Sequence, residues 1–150
     1  MVDLYNSLII KYLLDMKKSY SILLFLVITL GLSGCGKSAK EYIAAGEASD
    51  SVKDYNGAIY NYTKAIDIDP NKAAPYAKRS VSKYALKDFQ GAINDINIVT
   101  QLLPELSSAY YTRGLIKCNL NQRESACLDF NKAGELGYKG AYQTIKDSCK

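Results

Sequence analysis

The chain changes hydrophobic pattern once. From Ile22 to Leu30 the residues are almost continuously apolar, preceded by Lys17-Lys18 and closed by Leu32-Ser33-Gly34-Cys35. After residue 38 apolar positions recur instead with the period of helices that bury one stripe, and no later stretch reads as a strand. The pattern predicts an all-α domain with helices near 38–51, 55–68, 73–86, 89–102, 107–120, 123–135 and 139–148. Pro70 and Pro104 stop the second and fourth helices, because proline lacks an N–H and disfavours helix in the residue before it.

The helical part repeats. A shift of 34 residues places Asp54-Tyr55-Asn56-Gly57-Ala58-Ile59 on Asp88-Phe89-Gln90-Gly91-Ala92-Ile93, and a fixed period of this size is a fold signature. The same step carries Tyr42 to Tyr76 to Tyr110, Gly46 to Ser80 to Gly114, Ala58 to Ala92 to Ala126, and Tyr62 to Ile96 to Phe130. Small residues at such positions let paired antiparallel helices approach, and aromatics fill the spaces beside them. On this logic Gly46 faces Ala58, Ser80 faces Ala92 and Gly114 faces Ala126.

With these positions the chain resembles the tetratricopeptide repeat. Three copies cover about residues 39–138, and a capping helix over 139–150 protects the last apolar face, with Ala141, Tyr142 and Ile145 as its covering stripe. The first copy departs from the later two in having Ala45 where they have Arg79 and Arg113, and the third has Tyr138 in place of the closing proline. The resemblance implies a right-handed superhelical stack of three hairpins whose first helices line a concave groove, and a role in holding peptides or proteins. Of the 13 tyrosines, Tyr42, Tyr62, Tyr76 and Tyr110 sit at repeat-core positions and read as packing residues. Arg79 and Arg113 read as serving the stack.

The N-terminal zone has the order of an export signal: charge, apolar core, small residues, Cys. Leu32-Ser33-Gly34-Cys35 resembles the bacterial lipobox, which implies cleavage after residue 34, a lipid-modified Cys35 as mature N-terminus, and a short tether over 35–38. Gly36 after the Cys implies sorting to an outer membrane. Asp3 and Asp15 place acidic charge where such a signal carries positive charge, so Met16-Lys17-Lys18 is the more natural start of translation. The folded part is expected outside the cytoplasm.

A rival reading exists, because Gly31-Leu32-Ser33-Gly34-Cys35-Gly36-Lys37-Ser38 satisfies the G-x-x-x-x-G-K-[ST] phosphate-loop pattern. In a small nucleotide-dependent kinase the glycines would wrap phosphates, Lys37 would pair with them and Ser38 would hold Mg²⁺. That chemistry needs a parallel sheet around the loop, and the rest of the chain supplies helices.

Composition narrows the function further. The chain has no His and no Trp, which removes histidine acid/base catalysis and the commonest zinc ligand. A net charge of +4 spread over both signs contains no basic block for nucleic acid. The chain is therefore expected to be a non-enzymatic interaction module without cofactor, metal or small-molecule substrate: an accessory or scaffold subunit of an envelope assembly, held to a membrane by the lipid.

Projecting the first helix of each copy inward gives Ile43, Ala44 and Glu47, then Ala77, Lys78, Val81 and Tyr84, then Ser108, Tyr111, Thr112 and Leu115. Ile43, Glu47, Lys78, Val81, Tyr84, Tyr111 and Leu115 form the expected partner groove, with Tyr84 and Tyr111 as anchors. Where chaperone-binding relatives grip a carboxylate, this chain has Ile43, Glu47, Lys78, Ser108 and Thr112, so recognition of an acidic tail is not expected. In an oxidising compartment the remaining cysteines allow one disulfide. Cys127–Cys149 would pair by antiparallel packing about a turn near 137–139, and Cys118–Cys127 across a turn near 121.

Overall fold

The computed structural model describes residues 36–149. The expectations for the export signal, the start at Met16 and the lipid on Cys35 lie outside the described residues. Seven helices follow in order: α1 Ala39–Ser51, α2 Tyr55–Ile68, α3 Ala73–Ala85, α4 Phe89–Leu102, α5 Ser107–Asn119, α6 Arg123–Glu135 and α7 Ala141–Ser148. There is no strand among them, so the sheet required by the phosphate-loop reading is missing from the described residues. Ser38, the metal ligand in that reading, is instead the N-cap of α1. Its hydroxyl accepts from the Glu41 N–H, and the Glu41 carboxylate accepts from the Ser38 N–H at 2.7 Å, a reciprocal capping box. That contact also lowers the Glu41 pKa below its ordinary value, the hydrogen bond from the Ser38 backbone being the main cause.

Each helix packs on its neighbours in the chain, first within a hairpin (α1 on α2, α3 on α4, α5 on α6) and then between hairpins. The turns inside the hairpins share one geometry. Lys53, Lys87 and Asn121, spaced by 34, each take the left-handed conformation (φ 61, 62 and 58°) that ends a helix and reverses the chain. In the first two copies an Asp then caps the second helix: Asp54 accepts from the Gly57 N–H at 3.0 Å and Asp88 from the Gly91 N–H at 2.8 Å. A Cβ at Gly57 or Gly91 would lie 2.8 or 2.7 Å from the capping carboxyl carbon, so the cap needs glycine three residues on. The third copy has lost both members together, with Gln122 and Ser125 at these positions and no side-chain cap.

The core follows the repeat. Ala58, Tyr62 and Ala65, then Ala92, Ile96 and Val99, then Ala126, Phe130 and Ala133 are all at most 2% exposed. Two of the three small residues of the first helices lie closest to a ring one turn beyond the expected alanine. Gly46 and Gly114 lie against the rings of Tyr62 and Phe130, four residues beyond Ala58 and Ala126. Ser80 does reach its expected helix position, donating its hydroxyl to the Ala92 carbonyl at 2.9 Å. Side chains on a helix lean toward its N-terminus, which brings the ring of the residue one turn farther along into the space opposite the glycine.

Candidate interaction surface

The first helices α1, α3 and α5 carry six cationic side chains, and five of them are spoken for. Arg79 makes a two-pronged contact with Asp95, from Nε at 2.9 Å and Nη2 at 2.7 Å, and its Nη1 donates to the Thr63 hydroxyl. Lys83 approaches the same carboxylate at 2.9 Å. One copy later Arg113 grips Asp129 in the same way (2.9 and 2.6 Å), Lys117 adds a contact at 2.7 Å, and Nη1 donates to Thr100. Both carboxylates are buried; two cations apiece supply the charge and hydrogen bonds that burial requires. The hydrogen bonds from the arginines raise their pKa values further, Asp95 acting on Arg79 and Asp129 on Arg113. The first copy lacks the whole group, with Ala45, Ser49 and Asn61 at the corresponding positions.

The fifth cation is Lys78, whose ammonium sits 2.8 Å from the Glu47 carboxylate across the first two hairpins. The sixth is Lys40 on α1, exposed, in a helix that also carries Glu41, Glu47 and Asp50. Asp50 is itself engaged: the Tyr62 hydroxyl donates to it at 2.7 Å and the Ser82 hydroxyl at 2.8 Å, tying α1 to α2 and α3. Burial and this hydrogen bond push the Tyr62 phenol above its ordinary pKa.

Between these paired charges lies an apolar strip. Val81 is 55% and Leu115 36% exposed. Tyr84 is half-buried, its ring edge-on to Phe89 with centroids 5.4 Å apart. Its hydroxyl accepts from the Asn119 amide at 3.0 Å, and the same amide reaches the Leu115 carbonyl. Ile43 is half-buried on α1. Tyr111, expected as a second anchor, is turned to the cap instead. Its ring stacks on Tyr138 at 4.4 Å, tilts against Phe130 at 5.5 Å, and its hydroxyl lies 3.2 Å from that of Thr144. The reason is register: α7 continues the 34-residue step as the first helix of a fourth copy, so the end of the strip is occupied by the chain's own cap.

At that end Cys127 and Cys149 are joined by a disulfide with Cα atoms 5.7 Å apart, and Cys118 is a free thiol. The bridge fastens the end of α7 to α6. Ala141 is fully buried, but Tyr142, expected to cover the core, is 65% exposed. Its hydroxyl donates to the Gly134 carbonyl at 3.3 Å, and with Leu128 and Ile145 it lines an open cleft of about 650 Å³. Among the described residues no group of His, Cys, Asp or Glu is placed to hold a metal ion. No helix among them is long and apolar enough to cross a membrane.

Solved structures identify the architecture. The chain is similar to the first TPR of Spaghetti (RPAP3) bound to the HSP90 peptide SRMEEVD, with 26% identity over 75% of this chain and 90% of that one and a TM-score of 0.72. The fold is that of the tetratricopeptide repeat. The Arabidopsis OM64 TPR domain is similar at 25% identity (73% and 95% of the two chains, TM-score 0.68). The TPR2B domain of yeast Sti1 in its pHsp70 complex shares the fold at 21% identity (74% and 90%, TM-score 0.65). No protein-family model matches the chain, and no curated protein matches it. The similar structures include TPR domains with bound chaperone peptides, so the repeat fold mediates protein–protein contact in those proteins. The buried Asp95 and Asp129 were missed by sequence reasoning. Their signal was present, because Asn61, Asp95 and Asp129 share one repeat position with a charge only where an Arg is also present.

Proposed function

We propose that this chain is a membrane-anchored protein-interaction module, tethered by a lipid on Cys35 and holding a partner protein on the face formed by α1, α3 and α5. It would serve as an accessory or scaffold subunit of a cell-envelope assembly, with its repeats outside the cytoplasm and an outer membrane as the favoured location. The observation that carries the partner surface is the strip in which the exposed side chains of Val81 and Leu115 flank the half-buried Tyr84, on helices otherwise filled with internal pairs. Exposed apolar surface on a folded domain marks an interaction site. The tether is supported by Lys17-Lys18, the apolar run and Leu32-Ser33-Gly34-Cys35.

Mass spectrometry of the protein from envelope fractions tests the tether. A mature chain beginning with diacylated Cys35 supports the reading, and an unmodified N-terminus upstream of Cys35 contradicts it.

A further inference from the structure

The charges on α1, α3 and α5 specify what this face can hold. A carboxylate leaving water needs cations that are still available, because its lost hydration is otherwise uncompensated. On α3 and α5 every cation already contacts a carboxylate of the chain within 2.9 Å: Lys78 on Glu47, Arg79 and Lys83 on Asp95, Arg113 and Lys117 on Asp129. Recruiting one of the four on Asp95 and Asp129 would strip charge from a buried carboxylate. On α1 the acids outnumber the single Lys40. What remains open is apolar and amide-like: the exposed ends of Val81 and Leu115, and the exposed Asn119, whose N–H₂ donates to the Tyr84 hydroxyl and the Leu115 carbonyl and whose side-chain oxygen is by chemistry an acceptor.

We propose that the face binds an uncharged segment of a partner protein, one that packs an apolar side chain on Val81 and Leu115 and donates a backbone N–H to Asn119, and that it refuses acidic tails such as SRMEEVD. This rests on the reading of the α1, α3 and α5 face as the partner surface. The specificity has two parts. Apolar burial supplies attraction, while a carboxylate meets the acid-rich α1 and, on α3 and α5, only cations that already hold an acid of the chain. It sets this chain apart from the similar RPAP3 domain, which is seen with an acidic peptide.

The test is selection of a random heptapeptide library, displayed on phage, against the full-length chain in detergent micelles. It is run in parallel on Val81→Asp/Leu115→Asp and on Leu128→Asp, with SRMEEVD as a defined acidic probe. All three positions are exposed, and circular dichroism establishes that each variant retains its helices. The proposal expects an enriched pool that is apolar and low in Asp and Glu. Its binding should fall roughly tenfold or more in the double variant and be unchanged in Leu128→Asp, with no SRMEEVD binding. An enriched pool rich in Asp and Glu, or capture of SRMEEVD, that is lost in the double variant overturns the specificity while leaving the surface in place. A pool insensitive to the double variant overturns the surface itself, and absence of any enrichment overturns both.

Discussion

Gly46 and Tyr62 occupy one space: a Cβ on Gly46 would lie 2.7 Å from Cδ1 of the Tyr62 ring. The same relation joins Gly114 to Phe130, also at 2.7 Å. In the second copy the pair is Ser80 and Ile96, a larger residue opposite a smaller one. The volume is held nearly constant while its division between the two helices changes, as close packing demands.

Gly46→Ala is therefore predicted to destabilise the domain, although alanine is the better helix former. Overpacking costs about 1–3 kcal/mol, and helix propensity returns at most about 1 kcal/mol. At the ring without a hydroxyl, Gly114→Ser combined with Phe130→Ile, which copies the second repeat, should be more stable than Gly114→Ser alone in urea unfolding. Equal stabilities would show that the ring does not set the requirement.

Tyr62→Phe separates the ring from its hydroxyl, and Phe130 shows that the ring alone suits this position. At neutral pH the variant loses the bond to Asp50, worth about 1.5–3 kcal/mol for a charged acceptor. The folded-state pKa is raised above the ordinary 10.0, so the folded state resists losing this proton. The contribution is complete below pH 10 and declines as pH rises beyond it. The stability difference between wild type and Tyr62→Phe should be flat from pH 7 to 9 and shrink above 10. A difference that grows with alkalinity would have the wrong sign.

Asp95→Asn is predicted to cost about 2–4 kcal/mol, because it leaves Arg79 and Lys83 without their shared anion in a mostly buried setting. Replacing the whole group with the residues of the first copy, Arg79→Ala, Lys83→Ser and Asp95→Asn together, should cost less than adding the three separate losses. Strict additivity in chemical denaturation would mean that the three side chains do not act as a unit.

Cys149→Ser opens the link over a sequence separation of 22. In the chain-entropy picture the bridge contributes about 3 kcal/mol, so the oxidised wild type should unfold at a clearly higher temperature than the variant. Hydrogen exchange should rise first in α7 and around Tyr111, whose ring and hydroxyl rest on the cap. Faster exchange confined to α1 would contradict this assignment of the cap.

The helices were legible because one physical signal, the 34-residue step, fixes their number, length and turns at once. The partners of Gly46 and Gly114 were not, since the direction in which side chains lean along a helix does not show in a linear alignment. Tyr111 was misplaced for a related reason: extending the repeat to Thr144 would have shown the cap lying on it. Asp95 and Asp129 were overlooked because single acids on a helix read as solvated, and only their coincidence with Arg79 and Arg113 marks them as buried.

The proposed partner surface is the α1, α3 and α5 face. Its most direct test places a photo-reactive amino acid at Val81 or Leu115 of the full-length chain in living cells, with Tyr60 and Leu128, which are 61% and 70% exposed, as comparison positions. One discrete cross-linked protein is expected from 81 and 115, absent from 60 and 128. The same product from 60 and 128 alone, or none from any position, would contradict it.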